Sequence, residues 1–205
     1  MKMAKRLKAM GNHRYRYGFN LTLHPDLLEE PLKWQKPRMV FVNSMSDMFH
    51  EDIPVEYIQR VFSTMRKADR HTFQVLTKRS SRMLELAPQL QWPGNVWLGV
   101  TIESGKYLYR ADNLRKTPAA VKFLSIEPMV GPVDGLNLQA IDWVIVGGES
   151  GPVSRSIREE WVVTVRDLCT AMDKPFFFKQ WGGRNKKKSG RLLQGKTWNE
   201  FPSSL

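Results

Sequence analysis

One cysteine, Cys169, stands in 205 residues. A lone thiol excludes an internal disulfide, and by itself it holds neither zinc nor an iron–sulfur cluster, which need several protein ligands. Long apolar runs are missing too: nothing approaches the roughly 18–20 residues that cross a bilayer. The N-terminal MKMAKRLKAMG puts no apolar stretch behind its basic residues, so it does not read as a signal peptide. The expected setting is therefore the cytoplasm, with no membrane partner. Acidic residues are few, 20 Asp and Glu against 32 Lys and Arg, and the formal charge of +12 favours a polyanionic partner. The excess gathers at the two ends of the chain. Lys5 and Arg6 at the start, and Arg184, Lys186, Lys187 and Lys188 near the finish, are the candidate nucleic-acid contacts. The alternative is a pair of solvated tails that keep the protein dispersed.

What remains is ordinary for a globular fold, 41% hydrophobic and 25% charged. Six short runs of Val, Ile, Leu and Phe, each closed by polar residues or glycine, read as buried strands. They begin at Met39, Thr72, Val96, Val121, Trp143 and Pro175, and FNLTLH from Phe19 is a weaker seventh. Apolar residues at helical spacing fill several of the gaps, from Pro54 to Lys67 and from Ile157 to Met172, with shorter helical stretches from Ser81 and Lys106. Cys169 falls on the apolar side of the second and reads as core. Strand and crossover in alternation predict parallel strands with right-handed connections. The expected fold is α/β, a partial (β/α) barrel of about six to seven strands, with a doubly wound open sheet as the alternative. One barrel-like domain is read over 1–183, with a basic C-terminal extension over 184–205.

Nearly every strand ends in chemistry. FVNSMSDMFHED runs from an apolar strand into Asn43, Ser44, Ser46 and Asp47; the other ends carry Thr77, Lys78 and Arg79, Thr101 and Glu103, Ser125 and Glu127, Gly147, Gly148 and Glu149, and Lys179, Gln180 and Trp181. In parallel α/β architectures such ends converge on one rim, where ligand sites form. Asp47, Glu103, Glu127, Glu149 and Lys179 are the candidate catalytic groups, because a charge beside a buried strand needs a partner or a wet pocket. The remaining strand-end residues are candidate ligand contacts. Ser80, Ser81 and Asp52 are expected to serve as helix caps instead. The four acids could share a divalent ion, but their spacing matches no metal motif and none is assigned. GGES, Gly147 to Ser150, carries neither a dinucleotide fingerprint nor a phosphate loop.

The segments FVNSMSDMFHED, QVLTKR, WLGVTIES, FLSIEPMVGP, WVIVGGESGP and FFFKQWGG, in that order over almost the whole chain, resemble a family of uncharacterised phage and prophage proteins with a radical-SAM-like barrel. The resemblance implies the fold just read and S-adenosylmethionine as a ligand the barrel could take. GGES resembles the glycine-glycine-glutamate signature that holds the amino group of that ligand, though here it follows a late strand. Members of the family carry a cysteine-rich cluster loop ahead of a helix like MAKRLKAMG. Here Met1 falls inside or just before that helix, so no [4Fe–4S] cluster is expected from this chain alone. Three functional expectations follow: a cluster-free barrel protein acting on or near nucleic acid, a non-enzymatic phage protein that binds a host nucleic-acid-associated complex through its basic patches, or a truncated, inactive relative.

Overall fold

The computed structural model describes residues 2–202. Six strands, β1 (Met39–Val42), β2 (Thr72–Thr77), β3 (Val96–Thr101), β4 (Val121–Ile126), β5 (Trp143–Gly147) and β6 (Phe176–Gln180), pair in chain order, each parallel to its neighbour. They curl into a half-barrel. A doubly wound sheet reverses its strand order at a switch point; this one never does. Helices α2 (Val55–Lys67), α3 (Ser80–Leu86), α4 (Tyr109–Arg115) and α5 (Glu159–Ala171) lie in the crossovers, α1 (Lys2–Ala9) precedes β1, and the short α6 (Lys186–Ser189) follows β6. No helix among the described residues is long and apolar enough to cross a membrane.

The period of each segment decides its face. In α2 the buried residues Ile58, Phe62 and Met65 are spaced by four and three, and in α5 Val162, Val165 and Cys169 by three and four, which makes one apolar stripe per helix. These stripes pack on alternate strand residues, among them Val75, Leu98, Leu124, Val144 and Phe178, in the main core. The intervening residues Trp97, Val121, Phe123 and Trp143 build a second, smaller cluster on the inner face of the sheet. Apolar side chains on both faces explain why the strands read as continuous apolar runs. Gly99 sits on that inner face of β3, where a Cβ would stand 2.4 Å from the Phe123 ring.

The segment around residue 200 packs over the lower end of this inner face. Phe201 packs 4.9 Å from the Trp143 ring and 5.4 Å from Phe177, and the indole N–H of Trp143 donates to the carbonyl of Glu200 at 2.9 Å. Backbone bonds from Phe178 to Trp198 and from Glu200 to Phe176 lay this segment along the outer edge of β6. The strands' C-terminal ends lie opposite this floor.

Two local readings are corrected. FNLTLH forms no strand: Phe19 and Leu21 are exposed, only Leu23 reaches the core, and no neighbouring strand supplies a ladder. Nor do Ser80, Ser81 and Asp52 cap helices. The residues before α2 and α3 are Pro54 and Arg79, without a side-chain cap bond. Ser80 is buried in the first turn of α3, where its hydroxyl accepts from the Asn113 amide at 3.0 Å and ties α3 to α4.

Candidate functional site at the strand ends

All six strand ends face one rim. At the first, Asn43 adopts φ +57°, a left-handed conformation that stops β1 and turns the chain through Ser46. Asn43, Ser44 and Ser46 are exposed on this turn. Asp47 then faces β2: its Oδ1 accepts from the Phe49 amide at 3.0 Å and the buried Thr77 hydroxyl at 2.7 Å, and its Oδ2 from the Lys78 amide at 3.0 Å. The polar residues after β1 thus stitch two strand ends together.

At the next ends, Glu103 accepts from two cations. Arg110 of α4 donates to it at 2.8 Å and to the Thr101 carbonyl at 2.8 Å, while Lys78 pairs with its other oxygen. Arg79 turns outward to pair with Glu51. Thr101 and Ser125 are register partners at the tips of β3 and β4, both buried.

The ends of β4, β5 and β6 surround an open cavity of about 350 Å³. Lys179 donates to Glu127 Oε2 at 2.8 Å, and the Gln180 amide reaches Ser150 Oγ at 2.8 Å and Glu127 Oε1 at 3.5 Å. Glu149, also on this wall, is clasped by Arg155 through its backbone N–H at 3.0 Å, Nε at 2.8 Å and Nη2 at 3.0 Å. These bonds hold the Glu149 carboxyl down at about 2 and, with Glu103 nearby, keep Arg155 above its ordinary value. Trp181 is less a platform than a wall. Its ring packs edge-on to Phe178 at 4.7 Å and its N–H donates to the Leu192 carbonyl at 2.8 Å.

The two glycine pairs exist for close approach. A Cβ on Gly148 would lie 2.0 Å from the Trp181 carbonyl oxygen, and one on Gly182, at φ +80°, would lie 2.2 Å from that of Glu149. Hydrogen bonds Gly148 N–H to Gln180 O at 2.9 Å and Gly183 N–H to Glu149 O at 2.8 Å lock the two loops backbone to backbone.

The sequence-predicted acids Asp47, Glu103, Glu127 and Glu149 therefore share one end of the sheet, each engaged by its own donors. Among the described residues no three His, Cys, Asp or Glu side chains are grouped to hold a metal. Cys169 does not suit a cluster: it is buried on α5, and burial pushes its thiol up to about 12. The strand-end reading passed over Arg110 and Arg155 as site residues. Arg110 had a signal, a charge in the apolar stripe of Tyr107, Ala111 and Leu114; Arg155, in an irregular loop, had none. Lys5, Arg6, Arg184 and Lys188 are exposed and enter no ion pair among the described residues, and the side chains of Lys186 and Lys187 lie outside the described ones. A larger groove of about 470 Å³ runs along the outside of α2 between Gln59, Arg60 and Gln89. Its amide-rich lining gathers none of the strand-end charges, so the smaller cavity is the candidate site.

Fold and rim together define a parallel α/β half-barrel with a charged strand-end site. The chain belongs to the family described as protein of unknown function (DUF5131), whose profile matches residues 1–202. No curated protein and no solved structure matched it.

Proposed function

We propose that this is a phage-derived, radical-SAM-like barrel protein whose strand-end cavity takes up a small zwitterion of the S-adenosylmethionine kind and which acts on or near nucleic acid. The carrying observation is the pairing of charge around the rim. Four acids, Glu51, Glu103, Glu127 and Glu149, pair with five bases, Lys78, Arg79, Arg110, Arg155 and Lys179, and Asp47, held by backbone amides and the Thr77 hydroxyl, supplies the fifth negative charge. A rim balanced in this way favours a ligand carrying both signs over a polyphosphate. In the cavity, Glu127 would take the ligand's ammonium and Lys179 its carboxylate, so the present pair exchanges one partner each and leaves no charge alone. S-Adenosylmethionine would supply methyl or adenosyl chemistry there; the four described rim groups Glu127, Lys179, Gln180 and Ser150 would bind and orient it. Cluster ligands, where the chemistry requires them, must come from outside these 205 residues.

Calorimetric titration with S-adenosylmethionine tests this reading. Heat of binding is expected from the native protein and is lost in Lys179→Met; silence at millimolar ligand overturns the cofactor assignment. The exposed bases Lys5, Arg6, Arg184 and Lys188 support a second reading, a protein that docks on a host nucleic-acid-associated complex without catalysis. Charge reversal at Arg184 and Lys188 would then abolish binding to nucleic acid while Glu127→Gln leaves it intact.

A further inference from the structure

We infer that the shared end of β2 and β3 is an oxyanion subsite, built by Lys78 and Arg110, that receives one phosphodiester of a nucleic-acid strand. The inference takes nucleic acid as the ligand from the reading above; the site itself rests on separate residues.

Arg110 is only 7% exposed, yet its charge is incompletely used. Nη1 donates to the Thr101 carbonyl and to Glu103, Nε is buried with no hydrogen-bond partner, and Nη2 makes no hydrogen bond among the described residues. The guanidinium carbon lies over Tyr107, 4.2 Å from the ring centroid, a cation–π contact. A buried guanidinium with idle donors is costly to keep unless something completes it.

Among the described residues Glu103 is the only carboxylate paired with Arg110, and Lys78 shares it. Two cations share this one carboxylate, so a phosphodiester can draw one of them away without leaving the other unpaired. Asp47, at the adjoining end, keeps its negative charge but accepts from two backbone amides and the Thr77 hydroxyl and forms no ion pair with the Lys78 ammonium. Arg79 is committed to Glu51.

The exchange is physically easy in one direction. The Lys78 side chain is 53% exposed and can swing to a ligand, while Glu103, 14% exposed, keeps Arg110 as its partner. No buried charge is stranded when Lys78 leaves. The phosphate then lies between the lysine ammonium and Nη2, the guanidinium nitrogen that makes no hydrogen bond among the described residues, the two-cation arrangement that favours oxyanions. This subsite and the zwitterion cavity lie along the same C-terminal edge of the parallel sheet, at the ends of β2 and β3 and of β4 to β6 respectively.

The test is titration with a thymidine dinucleotide, which carries one phosphodiester, at low salt. The native protein is expected to bind it, and Lys78→Met, which preserves the Arg110–Glu103 pair, to weaken binding about tenfold, as for loss of one charge-assisted hydrogen bond. Glu103→Gln removes the competing carboxylate and is expected to tighten binding by about threefold or more. A purely structural role for Glu103 predicts the opposite sign, and melting curves establish that both variants are folded. No binding at millimolar dinucleotide, weakening in Glu103→Gln, or indifference to Lys78→Met overturns the subsite. Equal affinity for acetate overturns the phosphate assignment. Failure of S-adenosylmethionine to bind while the dinucleotide still does removes the zwitterion cavity alone.

Discussion

Gly99→Ala tests the packing that gives the sheet its inner face. The added Cβ would stand 2.4, 2.5 and 2.6 Å from three carbons of the Phe123 ring. Ordinary carbon contacts lie near 3.5–4.0 Å, so the ring must retreat by about 1 Å. It has nowhere to go: Phe123 is fully buried, with the Trp143 ring 5.8 Å behind it. Overpacking of this kind costs about 1–3 kcal/mol, which in a chain of this size lowers the melting temperature by roughly 2–12 °C. Urea and thermal unfolding measure both quantities. Phe123→Leu shortens the obstructing ring, and in that background the same alanine is expected to cost under about 0.5 kcal/mol, a strong coupling between contacting sites. A Gly99→Ala protein as stable as its parent, or additive behaviour in the double variant, refutes the account of the inner cluster.

Two other expectations rest on titrating groups. Because Arg155 depresses the Glu149 carboxyl to about 2, the clasp contributes fully above the ordinary carboxylate range and is lost only as pH falls through that lower value. The side-chain carbonyl resonance of Glu149 should show this midpoint, and Arg155→Ala should return it to the usual range; an ordinary midpoint in the native protein contradicts the clasp. Cys169, buried and pushed up to about 12, should resist alkylation at pH 8 until the chain is unfolded, then react once per molecule; rapid native labelling contradicts its place in the core.

The strands were legible because parallel sheets bury both faces, so an apolar run such as VWLGVT announces itself without knowledge of its neighbours. The rim was legible for a related reason: Glu103 and Lys179 sit where a buried run stops, and charge is tolerated there only with a partner. Which partner could not be read. Arg110 meets Glu103 across seven residues because α4 folds back over β3, and Arg155 meets Glu149 through an irregular loop. Both are tertiary facts without a period. FNLTLH misled for the converse reason, since alternation carries a strand preference but not the neighbouring strand that would satisfy its backbone. The GGES segment read as a candidate ligand loop and lines the cavity; what could not be read is that the carbonyl of Trp181 pressed against Gly148 also requires a glycine there.

The two margins of the sheet are unlike. At β6 the returning segment around Trp198 and Glu200 occupies the outward-facing backbone groups, whereas among the described residues no strand lies beyond β1. Copies joining margin to margin could use only β1, and two such copies facing each other would consume both free sides at once. Self-association by sheet extension would therefore stop at a pair and could not propagate into a fibre.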